Sequence, residues 1–193
     1  MAEQKALVGK TVIVTGAGRG IGRAIALSAA RAGASVVVAS RTEEQLQEVV
    51  REVAALGGAA VAVPCDVRRA ADVARLVARA VAETGHVDAV VSNAGVFVWK
   101  PFEKLTEEEW DTVLETNLKA TYLLVRTALP ELAKSHGRIV NVASIHGTAG
   151  DANVAAHCAA KFGLVGLTKA LALELRPAGI AVNAVCPGST ENR

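Results

Sequence analysis

The sequence predicts an α/β fold, a doubly wound parallel sheet of about six strands with helices on both faces. Three observations carry this. Short β-branched runs alternate with longer helical patterns along the chain. The runs are continuously apolar rather than alternating, as in strands covered on both faces. Strand, helix, strand repeated in this order implies right-handed crossovers and one open sheet. The 193 residues suit a single domain, taken as 1–193, with no linker, low-complexity tract or repeat.

The elements follow in order. Strands are expected at TVIVT (11–15), SVVVAS (35–40), AAVAVP (59–64), VDAVVS (87–92), GRIVNVAS (137–144) and GIAVNAVC (179–186). Helices fit the segments about 20–32, 42–56, 69–84, 106–135 and 152–176. Thr42 with Gln45, and Thr106 with Glu109, each have the spacing of a capping box. Gly33 and Gly57 stand where a helix should stop. Pro130 falls inside the fourth helix and is expected to bend it.

Composition narrows the function. The chain is 51% hydrophobic and only 3% aromatic, so the core is aliphatic. A net charge of +2 without a basic block argues against nucleic acid as a partner. No stretch approaches a charge-free membrane span, and the first residues lack the apolar run of a signal peptide. Cys65, Cys158 and Cys186 have no metal or redox spacing; no metal is expected, and a reduced cytoplasmic setting is the default.

In such sheets ligands bind outside the carboxyl ends of the strands, so function is sought just after each strand. The first strand runs into TGAGRGIG (15–22), which carries Gly16, Gly18, Arg19, Gly20, Ile21 and Gly22. Glycines here permit a tight turn and let backbone N–H groups approach a pyrophosphate at a helix N-terminus. A glycine-rich turn without a ligand is the plainer alternative, but the strand-to-helix context is the one the motif requires. The second strand ends in Ser40 and Arg41, where an NAD site would want an acid for the ribose 2′-hydroxyl. Arg41, with Arg19, suits a 2′-phosphate and favours NADP(H) over NAD(H). Asp66, followed by Val67, fits an acceptor for an adenine amino group and equally an ordinary turn aspartate. After the fourth strand, SNAG places Asn93, Ala94 and Gly95 where small residues let the backbone come close to a cofactor.

TGAGRGIG, CDV, SNAG, NVAS and CPG, in that order, resemble the short-chain dehydrogenase/reductase family over essentially the whole chain. The resemblance implies a Rossmann-type sheet, NAD or NADP as cofactor, and hydride transfer between the nicotinamide and a small-molecule carbonyl or alcohol. It implies that Asn117 holds a water in a proton relay, that Ser144 hydrogen-bonds the substrate oxygen, and that Lys161 binds the nicotinamide ribose. It sets Pro187 and Gly188 in the turn beside the nicotinamide. The family's catalytic tyrosine falls on His157, four residues ahead of Lys161. Tyr122, the chain's one tyrosine, sits mid-helix where the family often has a structural aromatic. His146 follows Ser144 closely and fits a pocket-lining role, and Trp99 with the region after Gly95 fits one pocket wall.

Imidazole is a competent general acid near neutrality. Two points count against His157. Its ring nitrogen lies about 2 Å closer to the backbone than a phenolic oxygen, and proton transfer needs direct contact or one bridging water. Lys161, which would stabilise a phenolate, disfavours the imidazolium that acid catalysis needs.

The chain ends in STENR, shortly after CPG, where the family continues with a substrate-covering segment and a further strand. On that reading the sixth strand is an exposed apolar edge. The small residues of AAHCAAKFGLVGLTKALALEL suit close helix packing in a homodimer or tetramer. Three functions stay open: an NADP(H)-dependent oxidoreductase of impaired activity, a non-catalytic NADP(H)-binding or interaction protein, and a piece of a longer reductase. Replacing His157 with Tyr is expected to restore ketone reduction, and an unchanged rate in a carbonyl-reduction assay would remove the argument.

Overall fold

The computed structural model describes residues 5–188; residues 1–4 and the terminal STENR lie outside the described residues. The chain runs β1 (Thr11–Thr15), α1 (Gly20–Arg31), β2 (Ser35–Ser40), α2 (Glu43–Ala55), β3 (Ala59–Pro64), α3 (Ala70–Thr84) and β4 (Ala89–Ser92). It continues through α4 (Glu107–Leu114), α5 (Ala120–Ser135), β5 (Arg138–Val142), α6 (Ala155–Glu174) and β6 (Ala181–Val185). The strands form one parallel sheet in the order β3-β2-β1-β4-β5-β6. Strand order reverses between β1 and β4, which opens a crevice at their carboxyl ends.

Both faces of the sheet are covered, which is why the strands read as unbroken apolar runs. Val12, Val14, Val36 and Val38 point to one side and pack with Leu46, Val49 and Val53 of α2. Ile13, Val37 and Ile139 point to the other and pack with Leu76 of α3 and Leu124 and Leu132 of α5. A side-chain period of two thus feeds two separate cores. Gly33 and Gly57 lie just past α1 and α2 with φ of 97° and 72°, the left-handed geometry that ends a helix.

Two sequence expectations are corrected. The segment 106–135 is not one regular helix: α4 and α5 are joined by a π turn over Glu115–Lys119. Pro130 lies within α5, which continues past it to Ser135. The Thr42–Gln45 box does not form. Ser40 Oγ instead accepts the Thr42 N–H at 3.3 Å, and Gln45 lies against Gly18. The Thr106–Glu109 box does form, with both reciprocal bonds present.

The fourth to sixth strands are also shorter than the apolar runs. At the start of the fourth run Asp88 turns its carboxylate onto the head of β1. It accepts the Thr11 N–H at 2.8 Å and Lys10 Nζ at 2.9 Å, and His86 Nε2 lies 2.9 Å away. β6 is the outermost strand on its side among the described residues, and its Asn183 and Val185 are exposed while Val182 is buried under α6.

Burial opposes the charge on Asp88, but Lys10 and the Thr11 N–H outweigh it and hold the carboxyl below its ordinary value. Its stabilisation is therefore present above the usual carboxylate range and lost as pH falls through the depressed value. Asp88→Ala is expected to cost about 2 kcal/mol at pH 7 by urea unfolding, because the Thr11 N–H loses a charged acceptor. The difference should shrink in strong acid.

Candidate cofactor cleft and active site

The crevice between β1 and β4 is a cleft of about 410 Å³. Its floor is the glycine loop. Gly16 and Gly20 have φ of 64° and 54°, which only glycine adopts freely. A Cβ on Gly22 would meet Gly16 O at 2.2 Å and Asn93 Nδ2 at 2.4 Å, so the loop sits directly on the first turn of α1. Arg19 caps α1 in extended geometry without a side-chain bond, and no acidic residue occupies the first turn. The leading N–H groups of α1 thus keep their partial positive charge for an anion.

The predicted cofactor residues converge on this cleft. Gly16, Gly18, Arg19, Gly20 and Ile21 line one side. Ser40 and Arg41 come from the end of β2, and Asp66 and Val67 from the end of β3. Asn93, Ala94 and Gly95 close it from β4. Gly22 is buried beneath the loop rather than in the cleft wall. Arg19 and Arg41 are exposed on the rim.

Beyond the lining residues Val96, Thr112 and Thr116, two residues that shape the cleft escaped the sequence reading. Thr15, buried behind the wall, is one: its Oγ1 accepts the N–H of Asn93 at 3.0 Å and of Ala94 at 3.2 Å. Asn93 Nδ2 donates in return to Thr15 O at 2.9 Å and Gly16 O at 3.2 Å. Arg68 is the other. Its Nη2 donates to Asp66 Oδ2 at 2.7 Å and its Nε to Oδ1 at 3.0 Å. This fork is the main reason the Asp66 carboxyl sits below its ordinary value. The signal was present as an Asp and Arg two residues apart, a spacing that closes a local turn.

The four catalytic-type positions gather beside the cleft. Asn117 lies in the π turn, 2% exposed, with its side chain fully engaged. Its Nδ2 donates to Val96 O at 2.8 Å and Val113 O at 3.0 Å, and its Oδ1 accepts the Val96 N–H at 3.1 Å. Gly95 packs against it: a Cβ there would meet Asn117 Oδ1 at 2.6 Å. Ser144, just beyond β5, accepts the His146 N–H at 3.2 Å. Pro187 reaches the same place because its carbonyl accepts the Ile145 N–H at 2.9 Å; Gly188 follows it and is exposed.

Lys161 and His157 lie one turn apart on α6. Lys161 is buried and donates to Val142 O at 2.7 Å; burial pushes it down to about 8, so it is largely protonated at neutrality. His157 is 8% exposed, and its Nδ1 is buried with no hydrogen-bond partner. Burial first, then Lys161 and His146, push it down to about 4. Its ring packs edge-on against Phe97 at 4.9 Å and His146 at 5.6 Å between centroids. The site thus ends in a cluster of three rings, of which Phe97 went unnoticed in the sequence.

A profile of the short chain dehydrogenase family matches residues 10–193. The chain belongs to the short-chain dehydrogenase family. It is 41% identical over 189 residues to the hydroxynaphthalene reductase-like protein Arp2 of Metarhizium robertsii, covering 97% of this chain and 70% of that protein. It is 39% identical over 181 residues to the 3-oxoacyl-[acyl-carrier-protein] reductase FabG of Staphylococcus aureus, covering 93% of this chain and 74% of that one. Among solved structures, a metagenomic short-chain oxidoreductase in complex with NADP superposes with a TM-score of 0.91 at 40% identity, over 95% of this chain and 84% of that one. A dehydrogenase/reductase from Sinorhizobium meliloti 1021 gives 0.94 at 37% identity, over 98% and 75%. The six-stranded Rossmann-type sheet is therefore that of a short-chain dehydrogenase, a family of oxidoreductases that bind a nicotinamide cofactor. No helix among the described residues is long and apolar enough to cross a membrane, and no group of metal-ligating side chains is found among them.

The depressed His157 has a consequence for stability. Between its ordinary value of 6.5 and about 4, the unfolded chain binds a proton that the folded one does not. Stability should therefore fall as pH drops through this window, by up to about 3 kcal/mol. His157→Gln should remove that part of the slope, as read from urea midpoints between pH 7 and pH 4.

Proposed function

We propose that this short-chain dehydrogenase binds NADP(H) in preference to NAD(H) and transfers hydride between the nicotinamide and a small carbonyl or alcohol substrate, at a reduced rate. The observation that carries the reading is the cleft itself, a glycine cradle with Arg19 and Arg41 on its rim. The cradle has no room for a single added Cβ at Gly16 or Gly22. Arg41 and Arg19 supply the positive charge a 2′-phosphate needs, and Ser40 stands where an acid would select NAD(H). The metagenomic relative bound to NADP supports the same preference.

The bound cofactor supplies the hydride; the chain positions and protonates. Asn93, Ala94 and Gly95 would let the backbone come close to it, and Lys161 would offer its ammonium to the nicotinamide ribose. Asp66 and Val67 would hold the adenine, and Pro187 and Gly188 would flank the nicotinamide. Asn117 acts through Val96, fixing the loop after β4, where the family's relay water would be held. Ser144 donates to the substrate oxygen. His157 holds the position of the family's catalytic tyrosine, and a buried neutral imidazole beside an ammonium is a poor acid there. That rate penalty also favours a second reading, a non-catalytic NADP(H)-binding or interaction protein.

A homodimer or tetramer is supported by an apolar groove of about 640 Å³ on the face of the π turn, α5 and α6. Leu118, Tyr122, Gly163 and Leu167 line it, with Asp111, Glu115 and Lys119 at its rim. Tyr122 belongs to this face, away from Ser144 and Lys161.

Calorimetric titration with NADPH and NADH tests the reading. NADPH is expected to bind more tightly, and Arg41→Ala should weaken NADPH by about tenfold or more while leaving NADH nearly unchanged. Equal affinity for the two cofactors would remove the NADP(H) preference, and binding of neither would remove the cofactor reading.

A further inference from the structure

Resting on that reading, we propose that His146, with Asp151, is the proton donor for whatever carbonyl reduction this chain carries out, in place of the residue at 157. His146 sits on the turn that follows Ser144, and its backbone N–H is bound to Ser144 Oγ at 3.2 Å. The same hydroxyl that would hold the substrate oxygen therefore fixes the start of the segment carrying the imidazole. Its ring faces the site: it stacks at 6.4 Å on Phe97 and meets His157 edge-on at 5.6 Å.

His146 Nε2 lies 3.4 Å from Asp151 Oδ2. In the protonated ring Nε2 donates to that carboxylate, and Nδ1 is the donor left for a substrate. The His146 side chain is itself 22% exposed, and its Nδ1 is not among the buried unpartnered atoms, so Nδ1 can regain its proton from water while Nε2 stays bonded to Asp151. His157 has neither feature. It is 8% exposed on α6, its Nδ1 is orphaned, and no carboxylate among the described residues is paired with it.

The charges around His146 come from each neighbouring element. Asp151 approaches from the loop before α6, His157 and, one turn on, Lys161 from α6 itself, and the loop after β4 contributes only the uncharged Phe97 ring. The step balances. Hydride from the reduced cofactor forms the new C–H bond at the carbonyl carbon, and the C=O π pair moves to oxygen. Oxygen takes the Nδ1 proton, and the neutral imidazole regains one from solvent. The carbonyl is reduced to an alcohol and the cofactor is oxidised.

The test is a double-mutant cycle over His146→Ala and His157→Tyr, with ethyl acetoacetate as the probe ketone and NADPH affinity measured for every variant. His146→Ala alone should lower kcat by about 100-fold or more with NADPH affinity held. Added imidazole should restore part of the loss. In the His157→Tyr background the phenol bypasses His146, and the same substitution should cost only a few-fold.

A readout without turnover accompanies the cycle. In the complex with NADP⁺, which cannot react with a ketone, ethyl acetoacetate should shift the ring ¹⁵N resonances of His146. An equal loss in both backgrounds marks a merely structural role and overturns the proposal. So does an unchanged rate in His146→Ala, or a wild type that binds NADPH yet turns over no faster than His146→Ala. If no variant binds NADPH, the cofactor reading fails and the proposal falls with it.

Discussion

The site depends on one tie between two strand ends. Thr15 at the end of β1 and Asn93 just past β4 exchange two hydrogen bonds, Asn93 Nδ2 adds a third to Gly16 O, and the Ala94 N–H adds a fourth to Thr15 Oγ1. These strands are neighbours in the sheet although they are distant in sequence. At the point where strand order reverses, the ladder between them stops at Val14 opposite Val91, and these side-chain bonds carry the tie past it. The tie sets Gly16 against Ala94 so closely that a Cβ would clash with backbone at 2.8 Å. It also fixes where the chain leaves β4. From there Gly95 and Val96 meet Asn117, and Phe97 meets His157 and His146. Cofactor floor and ring cluster thus hang from the same anchor.

Charge then divides the labour within the ring cluster. Lys161 is buried and held by the Val142 carbonyl, so it cannot move away from His157. Next to a phenol such a cation is an asset, because it favours the deprotonated form. Next to an imidazole it penalises the protonated form, and burial acts in the same direction. The two effects add at His157, whose Nδ1 has no compensating acceptor. His146 differs by its carboxylate neighbour and by its place on the turn after β5 rather than on α6.

Much of the fold was legible because local pattern and global architecture agree. β1, β2 and β3 end where their apolar runs end; β1 and β2 are buried along the run, and β3, at the sheet edge, is half-buried along most of its length. The later runs overshoot. Asp88 was counted as strand, yet its side chain turns to the head of β1, a long-range contact that no local pattern announces. The same holds for the segment 106–135, whose periodicity reads as one helix. The π turn sits where Asn117 bonds to Val96, twenty-one residues away in sequence. Thr42 and Gln45 had the right spacing for a cap, but Ser40 took the Thr42 N–H first. In the site, glycines and strand-end residues were legible from their positions. Arg68 was legible in principle from its spacing to Asp66 and was passed over, whereas Phe97 was not, because only the folded loop brings it onto His157.

The π turn has a consequence for the two ends of the α4–α5 segment. A π turn accommodates one more residue than the α-helix would, and one residue is worth about 100° of rotation. The turns before and after it therefore answer to different surroundings. α4 keeps Val113 buried against Ala156 and Ala160 of α6, near the active site. α5 keeps Leu124, Ala128 and Leu132 in the sheet core. A regular helix through the same span would align only one of these faces at a time. The widened turn works as a rotary coupling: it lets Asn117 reach inward to the loop after β4 while the helix beyond it stays seated on the sheet.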